Sequence, residues 1–483
     1  MKWKEIVNYI NEIGQHEQLN DLDISGVNER ASSVRDGEIF VAIEGFEKDG
    51  HDFIEQAIDN GASVVIGQKA LSDLTVPYIQ VENSRKVIGA LAANFYEHPS
   101  KDKIVIGITG TNGKTTTGLF TTHLLRKAGY SVSFFGTVFN EINGQRMDSS
   151  LTTPSASMIQ KSLSESTDEV VVIEVSSQGL QQHRMEGMAF DYGLFTNLQH
   201  DHLDYHKTIE DYFMAKKKLF SLLKPSAKAI VNSDDHWGNK LVDILKDEQI
   251  EVLTVSETGD PHTHYAFETT VKNRLTINEQ TIQAQAPLPG KYNLLNLSMA
   301  ATVLSDLGHN IDQLEEMIKD LEPIPGRFEA YDLTDTVKAV IDYAHTAEAL
   351  EAVLSTCKAM YPDHRLNHVF GFRGNRDSSK REKMLSTSIQ YSDHTILTLD
   401  DLNGLAEEIM KNTYISMAQS YSTIEVDIIM DRSLAVKQVI DNAEEPTLIL
   451  LTGKGHEDYT CTFNLPVHSD KETLDYLTDY YMD

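Results

Sequence analysis

The chain is poor in cysteine, in long apolar runs and in basic residues relative to acidic ones. Its 483 residues include only two cysteines, Cys357 and Cys461. That is too few for a disulfide framework or a cysteine metal cluster, and it indicates a reducing, cytoplasmic setting. No apolar run reaches the ~20 residues that cross a bilayer, and the opening residues do not resemble a secretory leader. These absences argue against a secreted or membrane-embedded protein.

Positive charge is also scarce. Lys and Arg total 42 against 73 Asp and Glu, so the formal net charge is −31. Such a surface repels nucleic acid and anionic membranes, and neither is expected as a partner. An anionic ligand must therefore be held by local groups such as a backbone nest, lysines, arginines or a metal ion.

The length is too great for one hydrophobic core and predicts several domains. Turn-rich breaks near Pro99 and at 323–327 divide the chain into 1–99, 100–325 and 326–483. Apolar runs that alternate with helical patterns predict an α/β fold with mostly parallel sheets. The predicted strands include Glu38–Ile43, Ser63–Ile66, Tyr78–Val81, Val170–Val175, Gly193–Leu198, Ala229–Val231, Ala339–Tyr343, His368–Phe372, Thr395–Leu399 and Thr447–Leu451.

The segment Lys103–Thr117 carries the most information. It is a β-branched apolar run, a glycine-rich turn, a lysine with three threonines, and then an amphipathic stretch. A strand, a tight loop and a helix N-terminus of this kind form a nest for phosphate oxygens. Lys114 would reach the outer phosphates and Thr115 would place its hydroxyl on Mg²⁺. Ile108 stands where the strict motif has its first glycine, so an ordinary tight turn is the alternative; we predict ATP binding.

Other candidates follow later strands. Glu174 ends a buried strand and is a candidate Mg²⁺ ligand, with a capping role as the alternative. Asp201 and His202 follow another strand end and are preferred over His200 and His206. Spacing alone does not select Lys216 from its lysine neighbours, and a basic helix face is the simpler interpretation.

Taken in order, several motifs resemble the Mur ligase family, and within it the MurE branch that adds the third amino acid to UDP-MurNAc-L-Ala-D-Glu in peptidoglycan synthesis. The motifs are Thr109-Gly-Thr-Asn-Gly-Lys-Thr115, Glu174-Val-Ser-Ser177, Thr196-Asn-Leu198 with Asp201-His-Leu-Asp204, Pro289-Gly-Lys-Tyr-Asn293, Pro325-Gly-Arg-Phe-Glu329, Asp342-Tyr-Ala-His345 and Gly453-Lys-Gly-His-Glu457. The resemblance implies a central P-loop ATPase domain, an N-terminal domain for the UDP-linked substrate and a C-terminal Rossmann-like domain for the amino acid. We expect a monomer.

The resemblance further implies roles for individual residues. ATP would be held by Gly110, Thr111, Asn112, Gly113, Lys114, Thr115, Thr116, Asn293, Asp342 and His345, with Arg327 near the γ-phosphate. Mg²⁺ would be held by Thr115, Glu174, His202 and Lys216, the lysine as a carbamate. Lys114, Lys216, His202, Glu174 and Arg327 would be catalytic. The UDP-muramyl dipeptide would meet Thr152, Thr153, Ser176, Gln182 and Arg184.

The first domain departs from the family pattern. The family carries Asp-Ser-Arg ahead of the Gly37–Ala42 segment, at the uracil-nucleotide end of the substrate, whereas this chain has Arg30-Ala-Ser32. UDP binding is therefore inferred less directly than ATP binding. The alternative is a paralogue that joins an amino acid to a carboxylate without UDP, as folylpolyglutamate synthase does. An inactive nucleotide-binding homologue is a third hypothesis.

The amino-acid pocket departs as well. Members that use diaminopimelate carry Asp-Asn-Pro-Arg, and the aligned stretch here is Asp400-Asp401-Leu402-Asn403. With no cation at Asn403 and an added anion at Asp401, we expect a lysine-like amino acid rather than diaminopimelate. Arg376 would bind its α-carboxylate, and Gly453 and Glu457 would receive its amino group.

Overall fold

The computed structural model describes residues 1–45, 48–257, 265–268, 274–277, 280–283, 288–421 and 426–482. They form three β-sheets flanked by helices, and we call the three parts the first, central and third domains after the order of their sheets. No helix in these described ranges is long and apolar enough to cross a membrane.

The first domain contains a four-stranded, fully parallel sheet in the order β1-β2-β3-β4. Its elements are α1 (Trp3–Ile6), β1 (Gly26–Asn28), β2 (Glu38–Val41), α2 (Ile54–Asp59), β3 (Val64–Gly67), β4 (Tyr78–Gln80) and α3 (Ser84–Phe95). The three strands predicted here are present and end within two residues of the predicted limits.

The central domain contains an eleven-stranded sheet in the order β15-β14-β13-β12-β11-β10-β5-β9-β6-β7-β8. Its elements are β5 (Ile104–Thr109), α4 (Lys114–Lys127), β6 (Val132–Phe135), β7 (Phe139–Ile142), β8 (Gln145–Asp148), α5 (Ala156–Glu165), β9 (Val170–Glu174), α6 (Ser177–Gln181), β10 (Phe190–Phe195), α7 (Leu203–His206), α8 (Ile209–Lys217), β11 (Leu223–Asn232), α9 (His236–Asp247), β12 (Glu251–Ser256), β13 (Tyr265–Glu268), β14 (Arg274–Ile277), β15 (Gln280–Gln283), α10 (Lys291–Asp306) and α11 (Leu314–Lys319). Strands β5, β6 and β9 to β13 pair in parallel. Antiparallel pairing adds β14 and β15 at one end of the sheet and β7 and β8 at the other.

The third domain contains a six-stranded sheet in the order β16-β17-β21-β18-β19-β20, antiparallel only at β16. Its elements are β16 (Glu329–Asp332), β17 (Val337–Asp342), α12 (Ala347–Met360), β18 (Arg365–Phe370), α13 (Arg381–Tyr391), β19 (His394–Leu397), α14 (Glu407–Gln419), β20 (Val426–Ile428), α15 (Arg432–Asp441), β21 (Thr447–Thr452) and α16 (Asp470–Met482). Short 3₁₀ turns elsewhere in the chain span Glu17–Leu19, Ala31–Ser33, Gly50–Phe53, Lys218–Leu222 and Ile311–Gln313.

The middle strands of the central sheet explain where polar groups gather. Strands β5 and β9 are apolar on both faces because helices cover both sides, and this is typical of parallel sheets. Polar residues appear only where these strands end, and neighbouring parallel strands end at the same edge. That edge faces the corresponding strand ends of the third sheet, and the space between the two edges is a cleft.

Candidate active site

The cleft between the central and third domains has a volume of about 800 Å³. It brings together most of the residues predicted from sequence. Those lining it are Thr111, Asn112, Gly113, Lys114, Thr115, Thr116, Thr152, Glu174, Ser176, Arg184, Asp201, His202, Lys216, Arg327, His345, Arg376, Asp400 and Glu457. A cleft of this size at the carboxyl ends of parallel strands is a usual place for a ligand.

The glycine-rich loop joins β5 to α4 as predicted. Gly113 has φ = +87° and caps α4, and a Cβ on Gly110 would lie 1.9 Å from the Thr196 hydroxyl oxygen. Both positions thus require glycine. The Lys114 Nζ donates to the carbonyls of Gly110 (3.0 Å) and Thr111 (2.9 Å). Desolvation within the cleft lowers the pKa of Lys114, and the charge of Arg327 adds to this effect while Glu174 opposes it.

The Glu174 carboxylate is fully buried at the end of β9. Its Oε2 accepts hydrogen bonds from the hydroxyls of Thr115 (2.9 Å) and Thr137 (3.0 Å). Its Oε1 accepts the Thr137 backbone N–H at 2.9 Å. All three of these donors are neutral, and carboxylate oxygens in such a position suit a cation such as Mg²⁺.

Lys216 lies on α8 with 1% of its surface exposed. Its Nζ is 2.6 Å from the Gly110 carbonyl oxygen and 4.5 Å from the centre of the Tyr212 ring. Burial, followed by the nearby charge of Lys114, holds the pKa of Lys216 well below its usual value. The neighbouring Lys217 instead pairs with Glu248 and Lys218 with Gln181. Of these three lysines, Lys216 lines the cleft and the other two do not.

Asp201 and His202 lie on the loop between β10 and α7. Asp201 is 4% exposed, and it contacts Lys380 (2.7 Å) and His345 (3.3 Å) of the third domain. Burial acts to raise the pKa of Asp201, but the hydrogen bond to His345 and the surrounding positive charges hold it well below its usual value. Desolvation, with Lys216 nearby, lowers the pKa of His202 to about 4, so its ring is neutral at pH 7. His206 is buried against Ser177, and His200 contacts Ser379 at the rim.

The third-domain wall is rich in arginine. The Arg327 guanidinium lies 4.4 Å from the centre of the Tyr343 ring, with its Nη2 3.4 Å from the Thr115 hydroxyl. Glu457 accepts hydrogen bonds from Arg373 and from the Tyr343 hydroxyl. Arg376 is exposed in this wall.

Eight predicted residues do not line the cleft: Gly110, Thr153, Gln182, Asn293, Asp342, Asp401, Asn403 and Gly453. Several of them support residues that do. Asp342 is buried and accepts the backbone N–H groups of Phe328 (2.9 Å) and Ala344 (2.8 Å). Asn293 donates to the carbonyl of Pro289 at 2.7 Å.

The structure corrects the expectation that Asp401 is a free anion facing the amino-acid substrate. Its carboxylate accepts hydrogen bonds from the Lys454 ammonium at 2.8 Å and the Thr460 hydroxyl at 2.6 Å, and Lys454 is 1% exposed. Asp401 is therefore already neutralised and offers no free anion to a substrate. Asn403 turns its amide to the Gly374 carbonyl at 3.0 Å.

Three of the five residues predicted for the acceptor line the cleft, namely Thr152, Ser176 and Arg184. Arg184 donates to the Thr153 carbonyl (2.8 Å) and to the Gln182 side chain (2.7 Å). Thr153 is buried and donates to the Glu174 carbonyl at 2.8 Å. The segment Arg30–Ser32 starts a 3₁₀ turn in the first domain and does not line the cleft.

Sequence reasoning missed Thr137, Arg373 and Lys380. Thr137 and Arg373 each lie two or three residues past the end of a parallel strand, so the rule that selected Glu174 could have found them. Lys380 had no local signal, because its partner Asp201 is 179 residues away. Nor is a ready metal cluster visible: in the described residues, no group of three His, Cys, Asp or Glu side chains is arranged to hold a metal ion.

Comparison with known proteins gives matches along the chain. Three family models match in order: "Mur ligase family, catalytic domain" over 23–96, "Mur ligase middle domain" over 108–304, and "Mur ligase, glutamate ligase domain" over 326–455. A protein of Clostridium botulinum (strain ATCC 19397 / Type A), named UDP-N-acetylmuramoyl-L-alanyl-D-glutamate--2,6-diaminopimelate ligase, is 34% identical, with 94% of this chain and 95% of that protein covered.

Solved structures agree in fold. A structure of a ligase with the same name superposes with a TM-score of 0.68 at 27% identity, covering 100% of this chain and 99% of that one. MurF ligase from Thermotoga maritima, in complex with ADP, shares the fold at a TM-score of 0.64 and 19% identity, covering 89% and 94%. On this evidence the chain belongs to the Mur ligase family and is an ATP-dependent acid–amino-acid ligase of peptidoglycan synthesis.

Proposed function

We propose that this ligase adds an amino acid to UDP-MurNAc-L-Ala-D-Glu through an acyl-phosphate intermediate. The observation that carries the proposal is the cleft, in which the phosphate loop, Glu174 and Lys216 on one wall face Arg327 and Arg376 on the other. The acceptor name comes from the full-length relative described above. The domain limits 1–99, 100–325 and 326–483 are part of the same proposal.

The nucleotide side uses the loop and two cations. The backbone N–H groups at 111–115 and the N-terminus of α4 bind the phosphates of ATP. Lys114 and Arg327 lie on opposite walls and offset the charge that develops on the transferred phosphoryl group. To reach the phosphoryl group, Arg327 would give up its hydrogen bond to Thr115. This bond is 3.4 Å long and therefore weak, so its loss costs little.

Mg²⁺ fits the residues present only if Lys216 is modified. Thr115 and Glu174 offer oxygen ligands and His202 offers a neutral nitrogen, but an amine at Lys216 is a poor ligand for a hard cation. A carbamate on Lys216 supplies a carboxylate-like oxygen, and the lowered pKa of the buried amine favours the neutral form that reacts with CO₂. Bound there, Mg²⁺ would neutralise phosphate charge.

The acceptor lies toward Thr152, Ser176 and Arg184. Arg184 pairs with a substrate carboxylate, and the hydroxyls orient the peptide so that the D-Glu side-chain carboxylate meets the γ-phosphate of ATP. The incoming amine then attacks the acyl phosphate and phosphate leaves. The two walls exclude water, which would otherwise hydrolyse that intermediate.

The amino acid enters from the third-domain wall, with its α-carboxylate on Arg376. The sequence argument for a lysine-like substrate now depends on Asn403 alone, because Asp401 is paired with Lys454. The relatives are named for diaminopimelate. We retain a lysine-like amino acid as the finer proposal, and the turnover rates with lysine and with diaminopimelate test it.

The test is phosphate release by purified protein with ATP, Mg²⁺, the UDP-muramyl dipeptide and each amino acid in turn. Release with one amino acid, and a product heavier by that residue, would support the proposal and name the substrate. Faster turnover with diaminopimelate than with lysine would overturn the finer part. No release with any amino acid would move attention to a different acceptor and to the Arg30–Ser32 segment.

A further inference from the structure

One ion pair joins the central and third domains beside the proposed reaction centre. Lys380 lies immediately before α13, and its Nζ is 2.7 Å from Oδ1 of Asp201 on the β10–α7 loop. The Lys380 side chain is 15% exposed and that of Asp201 6%. Water therefore has little access to either charge, and each needs compensation from neighbouring protein groups.

The Asp201 carboxylate is shared among several groups. Its Oδ1 also accepts the backbone N–H of His202 at 2.9 Å, and its Oδ2 is 3.3 Å from Nε2 of His345. One carboxylate thus links the loop that carries His202 to two residues of the third domain.

Weaker contacts surround this pair. The His200 ring meets the Ser379 hydroxyl at 2.8 Å, and the Leu203 N–H donates to Asp377 at 3.4 Å. All of them join the β10–α7 loop to the segment 377–380. Arg376 immediately precedes this segment, so the position of the segment affects where the amino-acid wall stands relative to the phosphate loop.

We propose that Lys380 is a positioning residue, which through Asp201 holds the third domain in the orientation that aligns the two walls of the cleft. The inference rests on the ligase function proposed above. Without Lys380 the amine and the acyl phosphate would still bind, each to its own wall, but would meet in a productive geometry less often. A misplacement of about 1 Å can cost on the order of a hundredfold in rate.

The test compares Lys380→Gln, Lys380→Arg, Asp201→Asn and the double variant K380Q/D201N. We expect Lys380→Gln to lower kcat about 30- to 100-fold, with the KM for ATP little changed and part of the activity retained in Lys380→Arg. If Lys380 acts through Asp201, the double variant should be no slower than the slower single variant. Lys383→Gln is the matched control, because Lys383 lies on α13 and pairs with Glu348 inside the third domain; it should behave as wild type.

Three results would overturn the proposal. One is wild-type kcat in Lys380→Gln. Another is additivity in the double variant, which would place Lys380 on the substrate itself. The third comes from small-angle scattering of the full chain with a non-hydrolysable ATP analogue, if Lys380→Gln has the wild-type radius of gyration rather than a larger one. Scattering does not require turnover, so an inactive wild type would count against the ligase proposal and leave the role of Lys380 to be judged by scattering.

Discussion

The two walls of the cleft hold their polar groups in different ways. On the central wall, Glu174, Thr115 and Thr137 lie at strand ends or a helix start and bond to one another. On the third-domain wall, Arg373 and Lys380 are long side chains whose carboxylate partners come from distant parts of the chain. The central wall is held by short side chains placed directly by the ends of strands and helices, whereas the third wall depends on long side chains that reach distant segments.

This difference suggests that the central wall serves phosphate recognition and the third wall serves amino-acid selectivity. Phosphate recognition needs the same geometry whichever amino acid is added, and backbone-anchored groups provide it. Amino-acid selectivity has to differ between enzymes, and exposed side chains such as Arg376 can change without disturbing a fold. We therefore expect substitutions in the central wall to remove catalysis. Substitutions in the third wall should change substrate binding or stability, except at Lys380, whose loss should lower kcat by misaligning the two walls.

The largest effect is expected for Lys216→Ala. The variant loses the proposed metal-side carbamate, and we expect ligation to fall about a thousandfold or more, as when a preorganised charge-stabilising group is removed. Acetate should restore part of the activity by supplying a carboxylate. Lys217→Ala is the control, since Lys217 pairs with Glu248 away from the cleft. Undiminished ligation in Lys216→Ala would remove the metal role.

The second effect concerns Asp401, where we expect a substitution to lower stability and to leave amino-acid selectivity unchanged. Asp401→Asn removes the carboxylate 2.8 Å from the Lys454 ammonium, whose side chain is 2% exposed, and leaves Glu457 at 4.0 Å as a weaker charged partner. We expect the free energy of unfolding of the third domain to fall by about 3 kcal/mol, measured by chemical denaturation. The ratio of lysine to diaminopimelate turnover should stay the same. A changed ratio with unchanged stability would restore Asp401 to the substrate pocket.

A matched change at the surface gives the reference for this prediction. Asp441 pairs with Lys437 on the same helix, and both side chains are partly exposed. Asp441→Asn should alter the free energy of unfolding by no more than about 0.5 kcal/mol.

The sequence predicts the central domain and its wall of the cleft better than it predicts the third wall. The alternation of apolar runs and helical patterns was enough for the α/β class, and the strand-end rule located Glu174 and the Asp201–His202 loop. The antiparallel hairpin β7–β8 at the edge of the central sheet was not predicted, because its strand β8 is exposed and carries no apolar pattern.

On the third wall, local sequence was a poorer guide. Asp401 was interpreted as a free anion because nothing in its neighbourhood shows that Lys454, 53 residues later, folds against it. The side chains of Asp342 and Asn293, which the resemblance assigns to ATP, form hydrogen bonds to backbone groups in this structure. Short polar side chains often satisfy local backbone groups, and only the fold shows whether they are free for a ligand.

The third effect tests the amino-acid side of the third wall. Arg376→Ala should raise the KM for the amino acid about 10- to 100-fold, as expected when one charge-assisted bidentate contact of about 1.5–3 kcal/mol is lost. The KM for ATP should change little. Arg365, at the other end of β18, pairs with Glu445 at the surface, so Arg365→Ala serves as the control. Equal losses for ATP and amino acid would argue that Arg376 shapes the whole cleft.

The smallest effect lies beneath the third wall, where His368 is fully buried on β18 between the hydroxyls of Ser388 and Thr452. Burial lowers the pKa of His368 to about 3, whereas an unfolded histidine titrates near 6.5. Between pH 3 and 6.5 the unfolded state binds more protons than the folded state. The contribution of His368 to stability is therefore fully present above about pH 6.5 and is lost as the pH falls toward 3. In His368→Asn the slope of unfolding free energy between pH 6 and 5 should be smaller by about 1 kcal/mol per pH unit, measured by denaturation at each pH. Equal slopes would mean that the interior beneath the third wall tolerates a charged His368.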